Sequence, residues 1–200
     1  MKAWICGVVL LLGFGVHAHA QVVTDMTPEL VREAMTKGGS GIYKIQEQSI
    51  WGDGPVLGYV TTPYSRVALE AALARKHGKP YTTADVTPDM LRPELHVYAT
   101  SQAVYGNKNR IANVTKVVVM PYQSRDPSAA IQPTRTAEVT DEYWNLMGAA
   151  KGRNMMAVFP LSVLRGDNEI RVVFDRHVPG SSEIKGCTDC GARFILDKVR

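Results

Sequence analysis

The sequence lacks the short motifs that mark common enzyme classes. It contains no H-E-x-x-H zinc motif, no P-loop and no dinucleotide-binding glycine pattern. Ser40, in the stretch GGSG, lacks the spacing of a G-x-S-x-G nucleophile elbow and lies between a predicted helix and a predicted strand, the reverse of the elbow's order. These absences disfavour the corresponding classes. They leave open a hydrolase whose carboxylates meet only in the fold, since carboxylates such as Asp53 and the pair Asp141–Glu142 are spread along the chain.

The sequence has only a small excess of positive charge, with 23 Lys and Arg residues against 19 Asp and Glu residues. The densest basic stretch, Arg75–Lys79, lies at the predicted end of a helix, where cations complement the carbonyl end of the helix dipole. So small and scattered a charge predicts no nucleic-acid partner. Beyond residue 20 no stretch is apolar enough to span a membrane, so we expect no membrane span after the N-terminal segment.

The N-terminal segment has the order of regions found in a secretory signal peptide. Lys2 precedes an uncharged, mostly apolar run, Trp4–Val16, and the small residues of Ala18–His19–Ala20 follow it. We therefore predict a signal peptide over residues 1–20, with cleavage between Ala20 and Gln21. The mature chain would keep 22 basic and 19 acidic residues, and it would be secreted or periplasmic.

Cysteine is scarce, and only Cys187 and Cys190 lie beyond the predicted signal peptide. A thioredoxin-like redox pair needs its first cysteine at a helix N-terminus, whereas Cys190 is followed by GARFILD, which predicts a strand. A zinc site needs about four nitrogen or sulfur ligands, and the histidines lie at no ligand spacing from one another or from the thiols. Beyond the predicted signal peptide the histidines are His77, His96 and His177.

The remaining interpretation of Cys187 and Cys190 is a local disulfide. An exported chain meets an oxidising environment, where two cysteines can pair only with each other. Closing so short a loop stabilises the fold by about 2 kcal/mol in the chain-entropy model. We expect no metal and no cofactor.

Two helices are predicted in the first half of the chain. Thr27 and Pro28 begin a short helix that ends at Gly38–Gly39, and Thr62 and Pro63 begin a longer one that ends at Gly78. A third, single turn starts at Thr87–Pro88.

Alternating and β-branched stretches predict strands in the rest of the chain. They cover Ile42–Gln48, Val56–Thr62, Leu95–Ser101, Ile111–Met120, Met155–Phe159 and Glu169–Phe174. The polar stretch Tyr105–Arg110 predicts a turn, and Pro121–Ala137 predicts a long exposed loop or rim segment. We expect a mainly β (α+β) fold: an antiparallel, sandwich-like body with one short and one longer helix, forming a single domain over residues 21–200 with a possible internal boundary near residue 93.

Three further features have both a functional and a structural interpretation. Arg165–Gly166–Asp167 spells an integrin-binding tripeptide, but a turn between strands favours Gly-Asp on its own account. Asn113–Val114–Thr115 is a glycosylation sequon that matters only in a host that glycosylates. Tyr143 and Trp144 are adjacent, and core packing explains them as well as ligand contact does.

The sequence therefore predicts an exported, non-catalytic binding or structural module of the cell envelope or extracellular space. Its partner would be a protein, a polymer or a small ligand, and the Pro121–Ala137 segment is a candidate recognition loop. The alternative is an extracytoplasmic enzyme, either a thiol-disulfide oxidoreductase that uses Cys187 and Cys190 or a hydrolase.

Overall fold

A computed structural model describes residues 24–41, 47–50, 56–101, 103–104, 107–111, 113–138, 154–164, 169–177, 180–186 and 191–196. The strands are β1 (Glu47–Ile50), β2 (Val56–Thr61), β3 (Glu94–Ser101), β4 (Ala103–Val104), β5 (Asn107–Ile111), β6 (Asn113–Pro121), β7 (Arg135–Glu138), β8 (Met155–Pro160), β9 (Glu169–His177), β10 (Glu183–Ile184) and β11 (Ala192–Ile195). The helices are α1 (Pro28–Gly39), α2 (Pro63–Lys76) and α3 (Pro88–Leu91). Within the described ranges, no helix has the length and apolarity needed to cross a membrane.

Local capping chemistry fixes where the two longer helices begin. Thr27 Oγ1 accepts a hydrogen bond from Leu30 N at 3.3 Å, and Pro28 occupies the first turn of α1. Thr62 and Ser65 form a reciprocal capping box at the start of α2, with Thr62 N donating to Ser65 Oγ at 2.7 Å. The predicted helix starts are confirmed.

Two antiparallel sheets form the β body, which confirms the predicted α+β, sandwich-like class. One sheet has the order β1-β2-β3-β8-β7. In the other, β9 pairs with β6 and also with β10 and β11. β4 and β5 form a separate two-stranded ribbon, so part of the predicted polar turn is a strand.

The main core lies between the two sheets. In the five-stranded sheet, Val60, Val97 and Ala157 are in register on adjacent strands and fully buried. The other sheet contributes Val172 and Phe174, which belong to the same apolar cluster. Alternate residues of β3, Leu95, Val97 and Ala99, belong to this core, as a two-sheet packing requires.

The predicted loop Pro121–Ala137 packs against the second sheet for much of its length. Arg171 of β9 donates to the carbonyl oxygens of Tyr122 at 2.7 Å and Ser124 at 3.1 Å. Ile131 exchanges two backbone hydrogen bonds with Val119, at 2.8 and 3.2 Å. The segment then enters β7 at Arg135, so it connects the two sheets.

The helices α1 and α2 form a second layer with its own apolar cluster. Val31 and Ala34 of α1 pack against Val67 and Ala68 of α2. Gly38 lies so close to the Ala68 carbonyl that a Cβ atom there would clash with it. Gly38 therefore serves the close approach of the helices, and α1 continues through it to its C-cap at Ser40.

We expect Gly38→Ala to lower the free energy of unfolding by about 1–3 kcal/mol, because the added methyl group would force the two helices apart. Urea unfolding followed by circular dichroism measures the change. The matched control is Gly39→Ala, since a Cβ there meets no atom within 4 Å. If both variants unfold at the same urea concentration, the close packing at Gly38 does not contribute to the stability of the fold, and the prediction is wrong.

Candidate functional site

Several residues singled out from the sequence lie outside the described residues. They are Ala20, Gln21, Asp53, Asp141, Glu142, Tyr143, Trp144, Arg165, Gly166, Asp167, Cys187 and Cys190. The sequon is described: Asn113 is half-buried at the start of β6, and Thr115 Oγ1 donates to Glu183 at 2.6 Å.

The three histidines that the structure describes do not assemble into one site. His77 is the exposed C-cap of α2, His96 is in β3 of the five-stranded sheet, and His177 is in β9 of the other sheet. In the part of the chain that the structure describes, no three His, Cys, Asp or Glu side chains are grouped so that they could hold a metal ion.

His96 belongs to a buried polar cluster on the outer face of the five-stranded sheet. Its side chain is 7% exposed, and its Nε2 lies 3.1 Å from Glu94 Oε2. Arg135 of β7 also reaches Glu94 Oε2, at 3.3 Å. Thr61 is the cross-strand neighbour of His96. In the described part of the molecule, neither Thr61 Oγ1 nor His96 Nδ1 has a hydrogen-bond partner.

Burial determines the protonation state of His96. Loss of solvent, reinforced by the positive charge of Arg66, lowers the pKa of His96 from 6.5 to about 4, against the opposing effect of Glu94. Because a carboxylate can only accept, a neutral imidazole donates from Nε2 to Glu94 and leaves Nδ1 as an unprotonated acceptor. That atom could receive a proton, which is the chemical requirement of a general base.

Arg66 joins the helical layer to the start of β3. From α2 it donates to three backbone carbonyls: Met90 at 3.1 Å, Arg92 at 2.6 Å and Glu94 at 2.8 Å. Burial lowers the pKa of Arg66 to about 10, so the guanidinium stays charged at neutral pH. A buried cation is tolerated when its donors are satisfied in this way.

A surface pocket of about 360 Å³ lies where the C-terminal ends of α1 and α2 meet. The described residues that line it are Met35, Gly39, Ala71, Arg75, Gly78, Lys79, Pro80 and Tyr81. Gly78, at φ +65°, ends α2 in a conformation that glycine adopts without strain. The chain turns there and carries Lys79 to Tyr81 along the pocket wall.

The basic stretch at the end of α2 has a second role beside its own helix dipole. Arg75 Nη1 donates to the carbonyl oxygen of Gly39 at 2.5 Å, so this arginine caps the neighbouring helix α1. Lys79 donates its backbone N–H to Ala74 O at 2.9 Å, which satisfies a carbonyl of α2.

Tyr81 contributes an uncharged aromatic wall. Loss of solvent, with the nearby carboxylates Glu70 and Asp85, raises the pKa of Tyr81 to about 12. Its hydroxyl donates to Met90 Sδ at 3.5 Å. Sequence reasoning missed this pocket because no local pattern signals that two helix ends converge.

Comparison with family models, with curated proteins and with solved structures found no match to this chain.

We expect the free energy of unfolding to decrease as the pH falls from 6.5 towards about 4, because there the unfolded chain binds a proton that buried His96 does not. Above pH 6.5 both states are neutral at this residue, and the contribution is constant. Urea unfolding across this window, in the wild-type protein and in His96→Gln, measures the effect. The variant should show a shallower decrease; parallel pH profiles for the two proteins would contradict the assignment.

Proposed function

We propose that the protein is an exported, non-catalytic module that binds a small ligand in the pocket between the C-terminal ends of α1 and α2. The pocket is the observation that carries the proposal. Its volume, about 360 Å³, lies within the range of about 300–1,000 Å³ typical of small-molecule sites. Its wall combines apolar side chains with a few polar groups, which is the composition such sites have.

The chemistry of the pocket wall supports binding more than catalysis. The described lining residues include no histidine, cysteine or carboxylate, the side chains that most often transfer protons or attack substrates. His96, the described residue whose Nδ1 could accept a proton, is only 7% exposed. A hydrolase built on His96 would need the surrounding structure to open before a substrate could reach Nδ1.

The proposal includes export, through cleavage between Ala20 and Gln21, and a structural disulfide between Cys187 and Cys190. Two glycines flanking the cysteines support the disulfide. A Cβ atom at Gly186 or at Gly191 would come within 3 Å of the Val173 side chain, so both glycines lie against the same residue of β9. Gly186 and Gly191 therefore lie close together on β9, which suits a short cross-link between the cysteines that follow and precede them.

We expect the protein isolated from its native host to have the intact mass of residues 21–200 less two hydrogen atoms. The lost residues would be the signal peptide, and the lost hydrogens would be those of the two thiols. Intact-mass spectrometry with and without prior reduction measures both. A retained N-terminus would contradict export, whereas a mature chain with two free thiols would contradict the disulfide alone.

Small aromatic fragments should bind the mature protein saturably at the pocket. In ¹H–¹⁵N correlation spectra, the shifting amides should belong to the last turn of α1 and to Gly78, Lys79 and Tyr81. Gly39→Phe should abolish binding by filling the pocket, and Gly39→Ala is the matched control because it adds only a methyl group in open space. Equal binding by both variants, or saturable shifts confined to another surface, would contradict the proposed site.

A further inference from the structure

We infer that the ligand of this pocket is a small organic carboxylate, with its charged group at Arg75 and Lys79 and its apolar body against Tyr81 and Met35. The inference rests on the proposed function, because it names the ligand class for the same pocket. Four properties of the described residues support it: the sign of the charge, the fixed position of Arg75, the apolar wall and the orientation of the helices.

The charge lining the pocket has one sign. Two positively charged side chains, Arg75 and Lys79, line the pocket. No acidic residue is among the described residues that line it. Neither cation forms a salt bridge with a carboxylate elsewhere in the described ranges. An anion entering the pocket would therefore not have to displace a protein carboxylate.

Arg75 is anchored to α1 by a hydrogen bond. Its Nη1 donates to Gly39 O, and its guanidinium lies beside Gly41, where a Cβ atom would come within 2.7 Å of Nη1 and 3.0 Å of Cζ. A guanidinium has five N–H donors, so most remain for a ligand. Ordering the side chain in advance lowers the entropy cost of binding.

The other side chains that line the pocket are mostly apolar. Met35, Ala71 and Pro80 line it together with the ring of Tyr81. The Tyr81 hydroxyl donates to Met90 and remains protonated, so the tyrosine contributes a neutral ring. A ligand that fills this space needs a hydrophobic part as well as a charge.

The orientation of the helices favours a single negative charge over a phosphate dianion. Both α1 and α2 point their C-terminal ends at the pocket. The partial negative charge of those ends opposes anions, whereas phosphate sites usually use helix N-termini. Two cations can offset this opposition for a carboxylate, but each further ligand charge adds to it.

Benzoate, benzamide and inorganic phosphate are the probes that test the inference, each titrated into the mature protein with ¹⁵N detection. Benzoate should shift the amides of Gly39, Gly78, Lys79 and Tyr81 saturably. Benzamide has the same shape without the charge, and phosphate has the charge without the apolar body. Each should bind at least about tenfold more weakly than benzoate, a difference that one well-placed charged hydrogen bond can supply.

Two glycine variants separate the position of Arg75 from its charge. Gly41→Ala would push the guanidinium aside, and Gly180→Ala is the matched control. Both glycines have positive φ, +74° and +82°, but a Cβ at Gly180 meets nothing within 4 Å. Gly41→Ala and Lys79→Gln should each weaken benzoate binding several-fold, whereas Gly180→Ala should leave it unchanged.

The outcomes distinguish this inference from the proposed function. Benzamide binding as tightly as benzoate would overturn the carboxylate inference and leave pocket binding intact. Phosphate binding as tightly as benzoate would overturn the need for an apolar body. If benzoate binds elsewhere or not at all, the inference fails, and the fragment titration with Gly39→Phe decides separately whether the pocket binds ligands.

Discussion

The hydrogen bonds of Arg66 are the interaction on which the arrangement of this molecule depends. The guanidinium of Arg66 in α2 donates to the backbone carbonyls of every second residue from 90 to 94: Met90, Arg92 and Glu94. These bonds hold the connection between α3 and β3 against α2. Because the cation is buried, each of these bonds also offsets its loss of solvent. The positive charge of Arg66 also lowers the pKa of His96, so the residue that connects the two layers interacts electrostatically with the buried polar cluster.

The two layers have different parts in the proposed function. The sandwich buries a large apolar core between its sheets and supplies a rigid base. The helical layer forms the pocket, because Gly38 lets α1 approach α2 closely and Arg75 then bonds across the gap between the two helix ends. The site therefore lies on helices whose spacing is set by backbone contact, which favours a preformed pocket over one that folds around its ligand.

Local features of the fold could be predicted from the sequence, and features that depend on distant contacts could not. Thr27–Pro28 and Thr62–Pro63 predicted the starts of α1 and α2 because capping involves only neighbouring residues. The sequence also favoured Gly38–Gly39 as a stop, whereas the proximity of Ala68 explains Gly38 within the helix. Likewise, β7 is formed by pairing with β8, which lies beyond it in the chain. The basic stretch at Arg75 was predicted to complement its own helix dipole; its bond to Gly39 of α1 depends on tertiary packing.

Hydrogen exchange in Arg66→Lys tests the central claim most directly. A lysine carries its three donors on one nitrogen and cannot span the carbonyls that the guanidinium fork reaches. The account predicts that amides of α2 and of residues 88–94 exchange roughly tenfold faster or more, since each buried carbonyl left unsatisfied costs about 1–3 kcal/mol. Amides of β6 and β9 should keep their protection. Unchanged exchange throughout α2 and residues 88–94 would contradict the claim that Arg66 holds the two layers together.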